Sequence, residues 1–165
     1  PTVAFSTVVE AAFAMRHLLQ SFDLESFVMT TGGKGLHVVV PVAARLGWDD
    51  AKDFTHGVAN QLVALAPRHF TANMAKAQRK GKIFIDYLRN GRGATAICPY
   101  STRARTGAPV ATPLSWSELE GGVDPAAFTV RSLPARISTM KTDPWAGHHD
   151  MKQPVRAAAR KAVAA

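Results

Sequence analysis

The sequence predicts an α/β fold of the α+β kind, with an antiparallel or mixed sheet flanked by helices. Two segments show the apolar spacing of amphipathic helices, and several shorter segments have the β-branched composition of strands. A glycine-rich connection separates two of the strand segments, which is typical of a hairpin. These patterns indicate strands that bury one face against helices.

Two amphipathic helices are predicted, over residues 6–22 and 48–65. In the first, Val8, Ala12 and Leu19 follow helical spacing, and Ser6 is placed to cap the first turn. In the second, apolar residues recur on one face from residue 51 to residue 65, two aspartates lie near the start, and Pro67 ends the helix.

Two hairpins are predicted. The first pairs residues 26–31 with residues 36–42 across Gly32-Gly33-Lys34-Gly35. The second pairs residues 83–88 with residues 94–98 across an Asn-Gly turn at residues 90–91.

The remaining segments carry weaker patterns. Residues 71–81 are polar and basic, which is compatible with a short helix or a loop. Beyond Pro99 the chain is rich in Pro, Gly, Ser and Thr, with one short helix expected near residues 115–119 and a brief turn opening at Asp124. Residues 146–165 are expected to form a weakly ordered, helical, basic tail and a true C-terminus.

Length and composition limit the class of protein. The chain has 165 residues, 47% of them hydrophobic, which suits one domain with a sizeable core and excludes a disordered polyelectrolyte. The single cysteine excludes an internal disulfide framework. No apolar run approaches the roughly 20 residues that span a bilayer. The start at Pro1 has neither a basic region nor a Met, so the chain is expected to begin inside a longer protein.

The net charge of +8 is concentrated in one stretch of the sequence. Residues 76–105 contain eight Lys and Arg residues and a single acid, Asp86. A solvated helical face usually mixes charge signs. The concentration therefore favours a polyanionic partner, such as a nucleotide or a nucleic acid, handled at one place.

The glycine-rich connection and the strand after it are the first candidate site. Its three glycines allow close approach of an anion, and Lys34 with the Thr31 hydroxyl could complete a phosphate cradle. The spacing matches neither a Walker A loop nor a dinucleotide fingerprint, so a plain hairpin turn is an equal alternative. His37 is open to two interpretations, a packed strand histidine or an imidazole that donates to a phosphate.

Asp86 is the second candidate. An acid within the apolar run Ile-Phe-Ile-Asp-Tyr-Leu is costly unless it is compensated. One interpretation is a buried salt bridge to Arg89 or Lys82, and the other is a carboxylate ligand for Mg²⁺ or Mn²⁺. Neighbouring arginines could clamp phosphates bidentately, or could form a basic surface that binds nucleic acid without chemistry.

Three blocks of the sequence closely resemble the polymerase domain of bacterial ATP-dependent DNA ligase D, a member of the archaeo-eukaryotic primase superfamily. They are Thr-Gly-Gly-Lys-Gly-Leu-His-Val (31–38), Lys-Ile-Phe-Ile-Asp-Tyr-Leu-Arg-Asn (82–90) and Tyr-Ser-Thr-Arg-Ala-Arg (100–105). Pro-Leu-Ser-Trp (113–116) and Asp-Pro-Trp (143–145) are also similar to the family's C-terminal portion. The resemblance implies a partial primase-polymerase catalytic core over residues 1–145.

The resemblance also implies roles for individual residues. Thr31, which stands where the family often has Ser, would bind the nucleotide triphosphate together with Lys34, His37, Arg103 and Arg105. Three residues are implied as catalytic: Asp86, His37 and Arg79. Asp86 would be a metal ligand, and the basic segment that precedes it would bind DNA through Lys76, Arg79, Lys80 and Lys82.

The implied activity is metal-assisted nucleotidyl transfer, with Mn²⁺ or Mg²⁺, that fills gaps or adds nucleotides to DNA ends in non-homologous end joining. Implied partners are DNA ends with a 5′-phosphate, NTP or dNTP, Ku, and ligase or nuclease domains, in the cytoplasm at the bacterial nucleoid. The family's first Asp-x-Asp metal motif would precede residue 6, so the two-metal site is expected to be incomplete in this chain. The alternative is an inactive nucleotide- or DNA-binding fragment that uses the same basic groove.

Overall fold

The computed structural model describes residues 3–164, which form two compact units. Unit 1 contains residues 3–25, 42–96 and 152–164, and unit 2 contains residues 26–41 and 97–151. Residue patterns did not indicate this division, because each unit is assembled from segments far apart in the chain. The predicted start at Pro1 and the last tail residue, Ala165, lie outside the described residues, and the predicted domain end at residue 145 stays a prediction.

Unit 1 is built on the two predicted helices. Helix α1 spans Phe5–Gln20 and buries Ala12 and Leu19 of the predicted face, and α2 spans Trp48–Leu65 as expected. The predicted cap is wrong: α1 starts after Ala4, with no side-chain cap, and Ser6 lies inside its first turn. A core cluster from both helices and the next strand holds the unit together; it contains Ala11, Leu62 and Phe70.

The basic tail contains helix α5, Ala157–Ala164, which packs on α2. Its Ala159 and Val163 are buried. The Arg160 guanidinium donates to both carboxylate oxygens of Asp50 at 2.9 and 3.3 Å. The expected helical character is therefore present, and the contacts with α2 account for the placement of the helix.

The second predicted hairpin is wrong. Strand β4 is only Ile83–Phe84 and pairs in parallel with β3, Phe70–Thr71. The chain leaves the strand direction because the Asp86 carboxylate accepts a hydrogen bond from the Leu88 amide at 3.1 Å, and a 3₁₀ helix follows at Leu88–Asn90. Residues 94–98 form no strand.

Unit 2 contains a three-stranded antiparallel sheet in the order β2-β1-β5. Strands β1 (Phe27–Thr30) and β2 (Leu36–Val39) form the first predicted hairpin, and β5 is Pro113–Leu114. The predicted fold class, helices with an antiparallel or mixed sheet, is confirmed.

Two helices complete unit 2. Helix α3, Trp116–Glu120, agrees with the expected short helix, and Ser115 and Glu118 form a capping box at its start. Helix α4, Leu133–Thr139, was not predicted; it carries Pro134 in its first turn, where proline is tolerated. No helix in the described range is both long and apolar enough to cross a membrane.

Candidate functional site

The connection between β1 and β2 forms a tight, closed turn. Both the amide and the hydroxyl of Thr31 donate to the Gly35 carbonyl, at 3.2 and 3.1 Å. Gly32 adopts φ +64°, a conformation that glycine adopts without steric cost. The turn leaves the Lys34 side chain exposed.

Arg103 and Arg105 lie directly against this turn. A Cβ atom built on Gly32 would lie 2.6 Å from Arg103 Cγ, and one on Gly33 would lie 3.2 Å from Arg105 Nη1. The Arg103 amide donates to the Pro109 carbonyl at 2.8 Å, which helps to hold the arginine segment beside the turn. Two motifs about 70 positions apart in sequence are thus brought together in unit 2.

The electrostatics of this cluster favour an anion. Within residues 3–164, no carboxylate forms a salt bridge with Lys34, Arg103 or Arg105. Three neighbouring cations without an internal counter-ion repel one another, so a bound phosphate would lower the energy of the cluster.

His37 lies on β2, half-buried and in register with Met29 of β1. His37 takes part in an interaction within the protein. Its place one strand residue beyond the turn is compatible with both interpretations, so its phosphate-binding and catalytic roles stay predictions.

The predicted DNA-binding residues are all in unit 1, where they behave differently from one another. Arg79 is packed with its guanidinium carbon 3.9 Å from the centre of the Phe84 ring, and it donates to the Met74 carbonyl. The Lys82 ammonium donates to the Pro67 carbonyl at 2.7 Å. Lys76 and Lys80 are exposed and form no salt bridge among the described residues. They are the better candidates for phosphate contacts.

Asp86 is exposed, which corrects the expectation of a buried carboxylate. Its Oδ2 lies 3.6 Å from Arg89 Nε, so the predicted pairing with Arg89 occurs at the surface of the protein. In the described part of the chain, no three His, Cys, Asp or Glu side chains are grouped to hold a metal ion. Asp86 could supply one carboxylate to a divalent cation, which takes about six oxygen ligands, and its metal-binding role stays a prediction.

Sequence reasoning missed a groove in unit 1 lined by aromatic and amide side chains. His56 of α2 stacks on Tyr87, with ring centres 4.1 Å apart and 16° between the ring planes. Both rings line an open groove of about 490 Å³. Helical periodicity places His56 on the polar side of α2 and carries no signal for a partner 31 positions away.

Comparison with known proteins identifies the family. The model of the LigD primase-polymerase domain matches residues 1–145. The multifunctional non-homologous end joining protein LigD of Pseudomonas aeruginosa is 40% identical over 162 residues, which cover 98% of this chain and 19% of that protein. The bifunctional LigD of Bacillus subtilis is 34% identical over 134 residues, which cover 81% of this chain and 22% of that protein.

A solved structure agrees. The polymerase domain of Mycobacterium tuberculosis Ligase D in complex with DNA superposes with a TM-score of 0.75 and 36% identity, over 82% of this chain and 47% of that one. The chain thus spans about a fifth of the length of these two curated relatives and about half of the solved domain. The match of the family model over most of the sequence shows that the chain belongs to the LigD primase-polymerase domain family.

Proposed function

We propose that this chain acts in nucleotidyl transfer at DNA ends, by gap filling or nucleotide addition, during non-homologous end joining. One observation carries the proposal: Arg103 and Arg105 pack against the glycine turn that carries Lys34, and no carboxylate neutralises them among the described residues. Such a cluster suits the triphosphate of an NTP or dNTP. The family's names, which refer to end joining, and the DNA bound to the M. tuberculosis domain agree with this assignment.

The cluster would contribute by binding and orienting the triphosphate. The two guanidinium groups and the Lys34 ammonium would hold the phosphate oxygens, with the Thr31 hydroxyl beside them. Cations fixed by the fold oppose the negative charge that develops during phosphoryl transfer without having to reorganise. His37 would donate to a phosphate oxygen from the adjoining strand.

Unit 1 would contribute contacts to the DNA end. Lys76 and Lys80 are exposed, and Arg79 and Lys82 are packed where they stabilise the basic segment. Asp86 would be one ligand of a Mn²⁺ or Mg²⁺ ion, whose other ligands these residues do not supply. Ku and ligase or nuclease domains are proposed partners of the whole protein, at DNA ends with a 5′-phosphate in the bacterial nucleoid.

The test is ATP binding to the intact chain, measured by isothermal titration calorimetry. Arg103→Ala or Arg105→Ala should each weaken binding about 10- to 100-fold, the range expected when a hydrogen bond to a charged group is lost. Arg131→Ala is the matched control, because Arg131 is an exposed arginine of the same unit outside the cluster. Equal affinity of Arg105→Ala and Arg131→Ala would contradict the proposal.

A nucleotide- and DNA-binding module without catalysis is the second candidate. The observation that favours it is the engagement of Asp86 by Arg89 and by the Leu88 amide. Primer extension with Mn²⁺ and labelled ATP separates the two candidates. Extension that is lost in Asp86→Asn supports the enzyme, whereas ATP and DNA binding without extension supports the binding module.

A further inference from the structure

The groove in unit 1 combines features that none of the predicted roles uses. Its lining comes from α2, from the segment after β3 and from the segment after β4, and it includes His56, Asn60, Asn73, Met74 and Tyr87. A volume of about 490 Å³ falls within the range of small-ligand sites, roughly 300–1,000 Å³. The groove is therefore large enough to receive one nucleotide.

The stacked rings provide an aromatic platform in this groove. His56 is exposed and Tyr87 is half-buried, and their planes are nearly parallel at 16°. A parallel stack of this kind suits a third planar ring, since every nucleobase has a π-face that can stack on an aromatic side chain. Met74, a residue of the same lining that is 63% exposed, adds a polarizable apolar surface.

Amide groups in the lining are available to the edge of a base. The Asn73 side-chain oxygen accepts from the Ala75 amide at 2.9 Å, which fixes the side chain and leaves its NH₂ group as a donor. Among the described residues the Asn60 side chain makes no hydrogen bond, so both its donor and its acceptor are available. Unpaired base edges present complementary donors and acceptors.

The charge around the groove matches a polyanion. No acidic residue belongs to the lining. A 3₁₀ helix begins at Lys76, two residues after Met74. Lys76 at its start and Lys80 just after its end are both exposed. A strand of nucleic acid could therefore place a base in the groove and its phosphates along this helix.

We propose that this groove binds an unpaired nucleotide of single-stranded DNA, with the base stacked on the His56–Tyr87 pair. This inference rests on the proposed function, because it names the part of the DNA end that unit 1 holds. Stacking is tolerant of sequence, so the groove would accept any of the four bases. The groove would thereby bind the single-stranded overhang of a broken DNA end independently of its base sequence.

Two measurements on the intact chain test the inference. The first is fluorescence anisotropy with a labelled single-stranded oligonucleotide of about ten nucleotides, compared with an abasic oligonucleotide of the same length. The second is the fluorescence of 2-aminopurine within the strand, which is quenched when the base stacks on an aromatic ring. The wild-type chain should bind the normal strand more tightly than the abasic strand and should quench 2-aminopurine.

Substitutions in the groove separate stacking from charge. His56→Ala should weaken binding of the normal strand roughly 5- to 100-fold and relieve quenching, leaving abasic binding unchanged, whereas His56→Phe should keep both signals. His17→Ala is the control, since His17 is an exposed histidine of α1 outside the groove lining. Tyr87→Phe, which preserves packing, should retain the base-dependent binding.

Two results would overturn the inference: equal affinity of His56→Ala and wild type for the normal strand, or equal affinity of the wild type for normal and abasic strands. If either result is obtained while Arg105→Ala still weakens ATP binding, the proposed function stands and only the role of the groove is refuted. If the wild-type chain shows no ATP binding, that result would instead count against the proposed function.

Discussion

At the scale of single residues, the closeness of Gly32 to Arg103 determines the shape of the proposed phosphate-binding cluster. Gly32 has φ +64°, and a Cβ atom there would lie 2.6 Å from Arg103 Cγ and 3.3 Å from the Ala111 backbone nitrogen. The Cγ atom is near the base of the arginine side chain, so the clash cannot be relieved by moving the guanidinium alone. The Arg103 side chain can therefore lie against the turn because residue 32 has no side chain.

Gly32→Ala should lower both stability and nucleotide affinity. The left-handed conformation costs about 1–2 kcal/mol for a residue with a Cβ atom, and the displaced Arg103 would no longer meet the triphosphate. Urea unfolding measures the free energy of unfolding, and calorimetry measures ATP affinity. Gly122→Ala is the control, because Gly122 has φ +90° with open space around it. Gly122→Ala should lower the free energy of unfolding by a similar amount and keep its ATP affinity. If Gly122→Ala lost as much ATP affinity as Gly32→Ala, that result would contradict the steric argument.

His148 should make the stability of unit 2 depend on pH. Burial and the nearby His149 hold the pKa of His148 below its ordinary value of 6.5, against the opposing effect of Asp143. Both ring nitrogens are buried without a hydrogen-bond partner among the described residues, and the ring stacks on Trp145 with centres 4.7 Å apart.

As pH falls through 6.5, the unfolded chain takes up this proton before the folded chain does, so stability should decrease. Thermal melts from pH 7.5 to 5.5, followed by near-ultraviolet circular dichroism of the tryptophans, measure the effect. His148→Phe keeps an aromatic ring in the Trp145 stack and should flatten the profile. An unchanged slope in His148→Phe would assign the pH dependence to another group.

At the scale of secondary-structure elements, α5 is attached to α2 at Gly57. A Cβ atom there would lie 2.4 Å from the Val163 carbonyl oxygen and 2.7 Å from Val163 Cβ. One of these atoms belongs to the backbone, so no rotamer change can relieve the contact and the helices would have to separate.

Gly57→Ala should therefore destabilise unit 1 despite alanine's higher helix propensity. The propensity gain is about 1 kcal/mol, whereas overpacking typically costs about 1–3 kcal/mol, and the backbone contact favours the upper end of that range. Chemical denaturation measures the net loss. Asp53→Ala, at an exposed position of the same helix, should change stability by less than about 0.5 kcal/mol. A stabilised Gly57→Ala variant would show that α5 does not pack as described.

The secondary-structure elements also differ in how far the local sequence determines them. Helix α2 and the β1–β2 hairpin were predictable, because periodicity, aspartates and glycines act within a few residues of one another. Strand β4 was mispredicted because its alternating Ile83, Ile85 and Tyr87 continue the strand pattern, while the Asp86 side chain turns the backbone. Its parallel partner β3 has only two residues, Phe70 and Thr71, which is too short to produce a sequence pattern.

At the scale of the whole molecule, the candidate site depends on contacts that local patterns do not contain. The sequence marked Lys34 and Arg105 separately as phosphate ligands, and only the family resemblance connected them. The closeness of Arg105 to the turn that carries Lys34 arises from the pairing of β1 with the segment around β5, which is a long-range contact. The charge distribution, in contrast, could be read from the sequence: residues 76–105 hold eight of the 20 Lys and Arg residues.

This concentration of charge should determine the salt dependence of DNA binding. Each lysine that contacts a phosphate of duplex DNA releases counter-ions and contributes about 0.9 to the slope of log affinity against log salt concentration. Replacing Lys76 and Lys80 with alanine should therefore reduce the slope for a 5′-phosphorylated duplex end by about 1.8. Anisotropy titrations between 50 and 200 mM salt, a range over which such slopes are large, would measure it.

Lys152 and Lys161 are the matched control pair, because both are exposed lysines of unit 1 outside the basic segment. The net charge removed is the same in both double variants, so overall attraction to DNA changes equally. Only a difference in phosphate contacts can separate their slopes. If both pairs reduce the slope by the same amount, DNA binds to a diffuse positive surface; if only the Lys76 and Lys80 pair does, the DNA lies along the basic segment that precedes Asp86.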